Sequence, residues 1–177
     1  MTKIVNLISG PGVGKSTGAA HIFSQLKMNT NIKIELIHEY AKYLTYAGRQ
    51  QHLKEQDYVY SKQKHMMEAC HGKVDYIITD SPLILSLAYL PDTFPKSFRQ
   101  FAVDMFNTFD NINFFLKRIK PYQPYGRNQN EQEAIYIDNK IYKILLDNQI
   151  PFNIVEGGED GYKKIIEFIV KDLGVYY

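Results

Sequence analysis

Short apolar runs of strand length alternate along this chain with stretches whose apolar residues recur every three to four positions. Ile4-Val5-Asn6-Leu7-Ile8 reads as a strand, and Ala19, Ile22, Phe23 and Leu26 then share one face of a helix. Asn29-Thr30-Asn31 is a turn before a second strand, Ile32 to Ile37, which alternates before becoming continuously apolar. From Tyr43 to Cys70 there is no proline and the only glycine is Gly48, which predicts two helices meeting near Gly48-Arg49. Asp75 to Asp80 forms a third strand, and Ser81-Pro82 predicts a helix start, with serine at the cap and proline at the first helical position. Pro91 and Pro95 bracket a break before a helix over Lys96 to Phe109 and a fourth strand over Asn111 to Leu116. Ala134, Ile137, Ile141, Ile144 and Leu145 lie on one face of a helix over 131–147, and Phe152 to Val155 is a fifth short strand. A helix over 160–173 turns Ile165, Ile166, Ile169 and Leu173 to the sheet. Strands alternating with helices predict an α/β fold with a parallel sheet of about five strands, right-handed crossovers and helices on both sides.

Composition narrows the class without changing that picture. The 177 residues suit a single domain over 1–177 with its own core. One cysteine, Cys70, excludes an intramolecular disulfide and a Cys-rich metal site and suits a reducing, cytoplasmic setting. Lys3 followed by a short strand is not the pattern of a secretory leader, and no run approaches the roughly 20 apolar residues of a membrane span. A net charge of +2 does not argue for nucleic acid or an anionic membrane, so any basic patch is local. Fourteen tyrosines and no tryptophan give aromatic rings expected mostly in the core or at its rim.

The candidate chemistry begins between the first strand and the first helix, at Ser9-Gly10-Pro11-Gly12-Val13-Gly14-Lys15-Ser16-Thr17. Glycines at 10, 12 and 14 let consecutive backbone N–H groups converge on a phosphate, Lys15 can bridge the β and γ phosphates, and the Ser16 hydroxyl can hold Mg²⁺. Ser9 stands where the motif's first glycine belongs. The nucleotide-binding set is therefore Gly10, Gly12, Val13, Gly14, Lys15, Ser16 and Thr17. The bland alternative is a glycine-rich turn with a chance Lys-Ser.

Three more positions fall where ligands bind in such sheets. Glu39 follows the second strand, and either faces a ligand or is an ordinary first-turn glutamate favoured by the helix dipole. Asp80 ends the third strand, as a second anchor for metal-bound water or as an aid to the following cap. Tyr43, Tyr46, Tyr58, Tyr60 and Gln63 form an aromatic and amide group able to stack on a planar ring, or else are core. His52, His65 and His71 follow no metal-ligand spacing. After the fourth strand, Lys117 to Asn130 carries four cations, two prolines and a glycine, which suggests a basic lid over approximately 117–131 rather than a plain solvated loop.

Together, Lys15-Ser16, His38-Glu39-Tyr40, Gln63, Thr79-Asp80-Ser81-Pro82 and Gly126-Arg127 make the chain resemble the nicotinamide riboside kinase domain of bifunctional NAD-salvage regulators. It is similar, more closely still, to small phage-encoded phosphate-loop kinase or ATPase proteins. The resemblance covers nearly the whole chain and implies a three-layer P-loop NTPase fold using ATP and Mg²⁺. It assigns Glu39 to the acceptor hydroxyl, Asp80 to the metal that the loop's Ser16 is also expected to hold, Gln63 to the acceptor base and Arg127 to the lid. Lys15, Glu39, Asp80 and Arg127 are thus the expected catalytic set, and Glu39, Tyr40, Gln63, Arg118 and Arg127 the expected acceptor contacts. Asp80-Ser81-Pro82 and Pro121-Tyr122 depart from the riboside kinase pattern, which bears on the acceptor rather than the donor.

Three functions follow as expectations. One is a kinase for a nucleoside, nucleotide or related small hydroxyl acceptor. A second is a kinase for a nucleotide, including a modified one, within DNA, whose binding would fall steeply with salt. The third is a regulatory nucleotide-binding ATPase, against which stands the lack of an oligomeric sensor pattern. No membrane partner is expected, and pocket shape rather than sequence selects the acceptor.

Overall fold

A computed structural model describes residues 1–119, 122 and 130–174. Its strands β1 (Lys3–Ile8), β2 (Ile34–Ile37), β3 (Tyr76–Thr79), β4 (Asp110–Lys117) and β5 (Asn153–Glu156) form one sheet in the order β2-β3-β1-β4-β5. Every pairing is parallel, with Ile4 opposite Ile77 on one side and Asn111 on the other. Successive side chains of a strand point to opposite faces, so each strand feeds two cores. Ile4, Ile8, Ile77 and Phe115 pack on one side, while Val5, Leu7, Ile78, Phe114 and Leu116 pack on the other.

Helices α1 (Lys15–Asn29) and α8 (Glu159–Asp172) cover the second of these faces, burying Ala19, Ile22, Leu26, Ile165 and Ile169. Helices α4 (Gln56–Cys70), α6 (Lys96–Asn107) and α7 (Glu131–Asp147) cover the first with Met67, Phe106, Ile137, Ile141 and Leu145. The result is the expected three-layer α/β fold. Asn130 and Glu133 close a reciprocal capping box at the start of α7, which explains the sharp onset of that helix.

Polar residues inside the strands link β1 to β4. Asn6, fully buried on β1, donates to Asn111 Oδ1 (2.8 Å) and Asn113 Oδ1 (2.9 Å) on β4. A shift of one residue would turn this amide ladder to the opposite face, so it pins the register beside the loop that follows β1.

Two expectations need correction. The segment after β2 holds three helices rather than two: α2 (Tyr40–Tyr46), α3 (Gln50–Leu53) and the longer α4. Helix α2 begins immediately after Glu39, and Gly48, at φ 69°, ends its descent in a left-handed turn. Ser81-Pro82 does not start a helix. Pro82 is extended (φ −61°, ψ 148°), and a single 3₁₀ turn over Leu83–Leu85 leads into the four-residue α5 (Ser86–Tyr89). The cause is burial on every side: Leu83, Ile84, Leu85, Leu87, Ala88 and Leu90 all enter the core, a demand a one-faced helix cannot meet.

Candidate active site

The carboxyl ends of the central strands meet at one edge, and the loops leaving them carry the predicted groups: residues 9–16 after β1, Glu39 after β2, Asp80 after β3 and Arg118 after β4. Lys15, Ser16, Thr17, Glu39, Gln63 and Asp80 line a single cavity of about 770 Å³, together with Lys42, Tyr46, Lys54, Tyr60 and Tyr89.

Gly12 (φ 83°) and Gly14 (φ 109°) put the loop into left-handed conformations that an L side chain resists, and the second launches α1. Behind the loop, the Tyr162 hydroxyl of α8 donates to the Gly14 carbonyl (2.9 Å), and the side chain of Val13 is buried in the core. The loop is therefore gripped from beneath, while Pro11, Gly12, Gly14, Lys15 and Ser16 line the cavity. Lys15 Nζ lies across its mouth, donating to the Ser9 and Gly10 carbonyls at 2.8 Å each.

The charges here are interdependent. Burial pushes the half-buried Lys15 ammonium below its ordinary range, against the attraction of Glu39, Asp80 and Asp138. Burial likewise lifts the Glu39 carboxyl above the usual carboxylate range, with Asp80 adding to the lift and Lys15 and Lys42 opposing it. Asp80 is only 1% exposed, and its Oδ1 has no hydrogen-bond partner among the described residues. No side chain caps the 3₁₀ turn or α5, and Ser81 N–H goes to Thr79 Oγ1 instead. Glu39 occupies the cap position of α2 yet makes no cap bond, so its carboxylate is not spent on the helix.

Other predicted contacts are placed differently. The Gly10 N–H does not point to the cavity but donates to Asp138 Oδ1 on α7 (2.6 Å). Arg118 is held outside the cavity lining: Nε and Nη2 donate to Asp138 Oδ2 (3.1 and 2.7 Å), and Nη2 also donates to the Pro11 carbonyl (2.9 Å). Tyr40 lies outside the lining too, its hydroxyl 2.9 Å from that of Tyr58 and its ring against Tyr43. Within the segment expected to form a lid, the ring of Tyr122 sits beside Gly12 and 5.9 Å from the Arg118 guanidinium. Arg127 and the rest of 123–129 lie outside the described residues.

A family profile described as an AAA domain matches residues 4–160. The chain belongs to this AAA domain family. No curated protein matches the sequence. Among solved structures it is similar to a deoxyadenosine kinase from M. mycoides with bound dATP, at 20% identity and a TM-score of 0.55 over 97% of this chain and 99% of that one. It is also similar to a thymidylate kinase from Ehrlichia chaffeensis, at 13% identity and a TM-score of 0.63 over 98% of this chain and 100% of the other. At such identities the likeness establishes the fold, that of the P-loop kinases.

Asp138 is a site residue of this AAA domain protein that a reading of motifs misses. Its signal is positional: it lies four residues after Ala134 and three before Ile141, a carboxylate within the apolar stripe of α7. Asp138 and Arg118 are nearly enclosed, at 16% and 14% side-chain exposure. Asp138→Ala would strand the Gly10 N–H and remove the counter-charge of the guanidinium, which among the described residues would keep only its bond to the Pro11 carbonyl, so a loss of about 3 kcal/mol is expected in denaturant unfolding. A loss below about 1 kcal/mol, the size of a surface pair, would show that this clasp does not hold the loop. Tyr89 is the second omission. It keeps 39% of its surface accessible, yet burial of the phenol, with Glu39 and Asp138 nearby, raises its pKa far above the ordinary tyrosine range.

Proposed function

We propose that this AAA domain protein is an ATP- and Mg²⁺-dependent phosphotransferase whose acceptor is a hydroxyl of a nucleoside, a nucleotide or a related small molecule. One observation carries the reading. A phosphate loop and an acidic group, Glu39, that makes no hydrogen bond among the described residues line the same cavity at the sheet's carboxyl edge. The two similar structures, a deoxyadenosine kinase and a thymidylate kinase, support the same class.

In this reading the loop amides and Lys15 hold the β and γ phosphates. The acceptor oxygen attacks the γ phosphorus, the bond from that phosphorus to the ADP oxygen breaks, and the acceptor proton passes to the Glu39 carboxylate. Burial suits Glu39 to this work, because a carboxyl lifted above its ordinary range holds a proton more readily. Phosphoryl transfer otherwise needs positioning and charge neutralisation, which a cavity walled by the loop, α2 and α5 supplies.

The residues present fit magnesium. Asp80 offers a buried carboxylate oxygen without a partner, and Ser16 a hydroxyl on the same cavity, both hard oxygen donors. Among the described residues no group of three or more His, Cys, Asp or Glu gathers to hold a metal, which suits an ion bound largely through the nucleotide's phosphates. Magnesium, when bound, neutralises charge on those phosphates. Asp80→Asn is expected to raise the Mg²⁺ concentration needed for half-maximal transfer while leaving the affinity for a fluorescent ATP analogue nearly unchanged. Superimposable Mg²⁺ titrations would remove Asp80 from the metal.

The decisive experiment incubates the protein with γ-labelled ATP and Mg²⁺ against nucleosides and monophosphates, deoxyadenosine and thymidylate among them, and against modified DNAs. Label on one small acceptor supports the proposal. Label on DNA alone would move the acceptor into the polymer, and release only as inorganic phosphate would leave a regulatory ATPase.

A further inference from the structure

Gln63 is expected from the family resemblance to touch the acceptor base, but its amide is committed elsewhere. It is 4% exposed on α4, its Oε1 accepts from the Tyr40 N–H (2.9 Å), and its Nε2 donates to the His38 carbonyl (3.2 Å). These two backbone groups flank Glu39. Helix α2 therefore has an acceptor at its first N–H supplied from another helix, at the terminus where the cap residue itself makes no side-chain bond.

A carboxylate at a helix start is drawn toward the free N–H groups of the first turn by the positive end of the helix. That conformation would aim Glu39 along α2 rather than into the cavity. The amide of Gln63 holds the peptide units on both sides of Glu39 against α4, which fixes the direction in which the Glu39 side chain leaves the backbone. A side chain with one donor group and one acceptor suits this task, because it must give to a carbonyl and take from an N–H at once.

We propose that Gln63 is a positioning residue that caps α2 from α4 and so keeps the Glu39 carboxylate directed at the cavity. The proposal rests on the reading of Glu39 as the proton acceptor for its purpose, but its geometry is testable without turnover. The groups acting on Glu39 are Lys15 on α1, Asp80 at the tip of β3, Lys42 on α2 and Tyr89 on α5.

The test is a titration of the Glu39 carboxyl by carbon NMR in the full chain, assigned by its loss in Glu39→Gln. Two variants are compared with the parent, and thermal unfolding confirms that each is folded. Gln63→Met keeps the length and loses both hydrogen bonds. With that tether gone the Glu39 carboxylate is expected to turn back onto the first-turn N–H groups of α2, and its midpoint to fall toward the ordinary carboxylate range. Gln63→Glu keeps the acceptor for Tyr40 N–H and adds an acidic group beside Glu39, so its midpoint is expected to stay as high as in the parent or rise. A midpoint unmoved in Gln63→Met, or lowered equally in both variants, would overturn the proposal. Should Gln63→Met fail to fold, a midpoint that falls in Gln63→Glu overturns it alone, and one that holds or rises supports it. In turnover with the acceptor that the labelled-ATP screen identifies, Gln63→Met is expected to lower kcat by about 10²-fold with little change in acceptor KM, the signature of a misplaced base. A raised KM with unchanged kcat would instead return Gln63 to the acceptor base. If Glu39→Gln kept full turnover, the proton-acceptor reading would fall while the titration result stood.

Discussion

Lys15→Ala is expected to lower phosphoryl transfer by about 10³-fold or more, in the range seen when a charged or oxyanion-stabilising donor is removed from a preorganised site. The loop, not the lysine, carries the local fold. Gly12 and Gly14 shape it, Tyr162 and Asp138 hold it, and Lys15 adds two hydrogen bonds to carbonyls at its rim. Burial already works against the ammonium, so its removal relieves a desolvation cost that the folded chain otherwise carries. Thermal unfolding of the variant should therefore stay close to that of the parent while transfer from γ-labelled ATP collapses. Full activity in a folded Lys15→Ala protein would refute the phosphate-loop assignment.

Replacing Glu39 by glutamine should reduce transfer by roughly 10²- to 10⁴-fold, the usual cost of removing a general base, while ATP affinity is retained. Glutamine keeps the size and can still hydrogen-bond, so the cavity wall survives and only proton acceptance is lost. The pH profile separates this from a packing defect. A carboxyl raised above its ordinary range must lose its proton before it can accept one, so the parent's rate should fall as pH drops through that raised midpoint. In Glu39→Gln that acid limb should be absent from what activity remains. Unchanged turnover would exclude Glu39 as the base, and a loss of ATP affinity would place the residue on the donor side of the cavity.

Much of this was legible before any coordinates. The pattern at Ile4 to Ile8 followed by three closely spaced glycines and Lys15-Ser16 specifies strand, loop and helix through local chemistry alone, and the strands and helices alternate as a parallel sheet requires. Glu39 and Asp80 were legible as the residues at the ends of two strands, because such ends share one edge in any sheet of this kind. The Ser81-Pro82 helix start was misread for an equally physical reason. Local capping preferences are worth about 1 kcal/mol, and six consecutive or near-consecutive apolar residues claim more than that from the core.

The roles of Gln63, Arg118 and Asp138 could not be read in the same way, since each depends on a partner distant along the chain. Gln63 is 25 residues from His38 and Asp138 is 128 from Gly10, distances over which no periodicity carries information. Sequence alone determined what chemistry this protein has to work with: a phosphate loop, two strand-end carboxylates and a basic segment beyond β4. Only the tertiary structure decided which groups are free to do it. A hydrogen bond that occupies the Gly10 amide or the Gln63 amide withdraws that group from a ligand, whereas among the described residues Arg118 Nη1, beside Gly12, and the carboxylates of Glu39 and Asp80 are left without one.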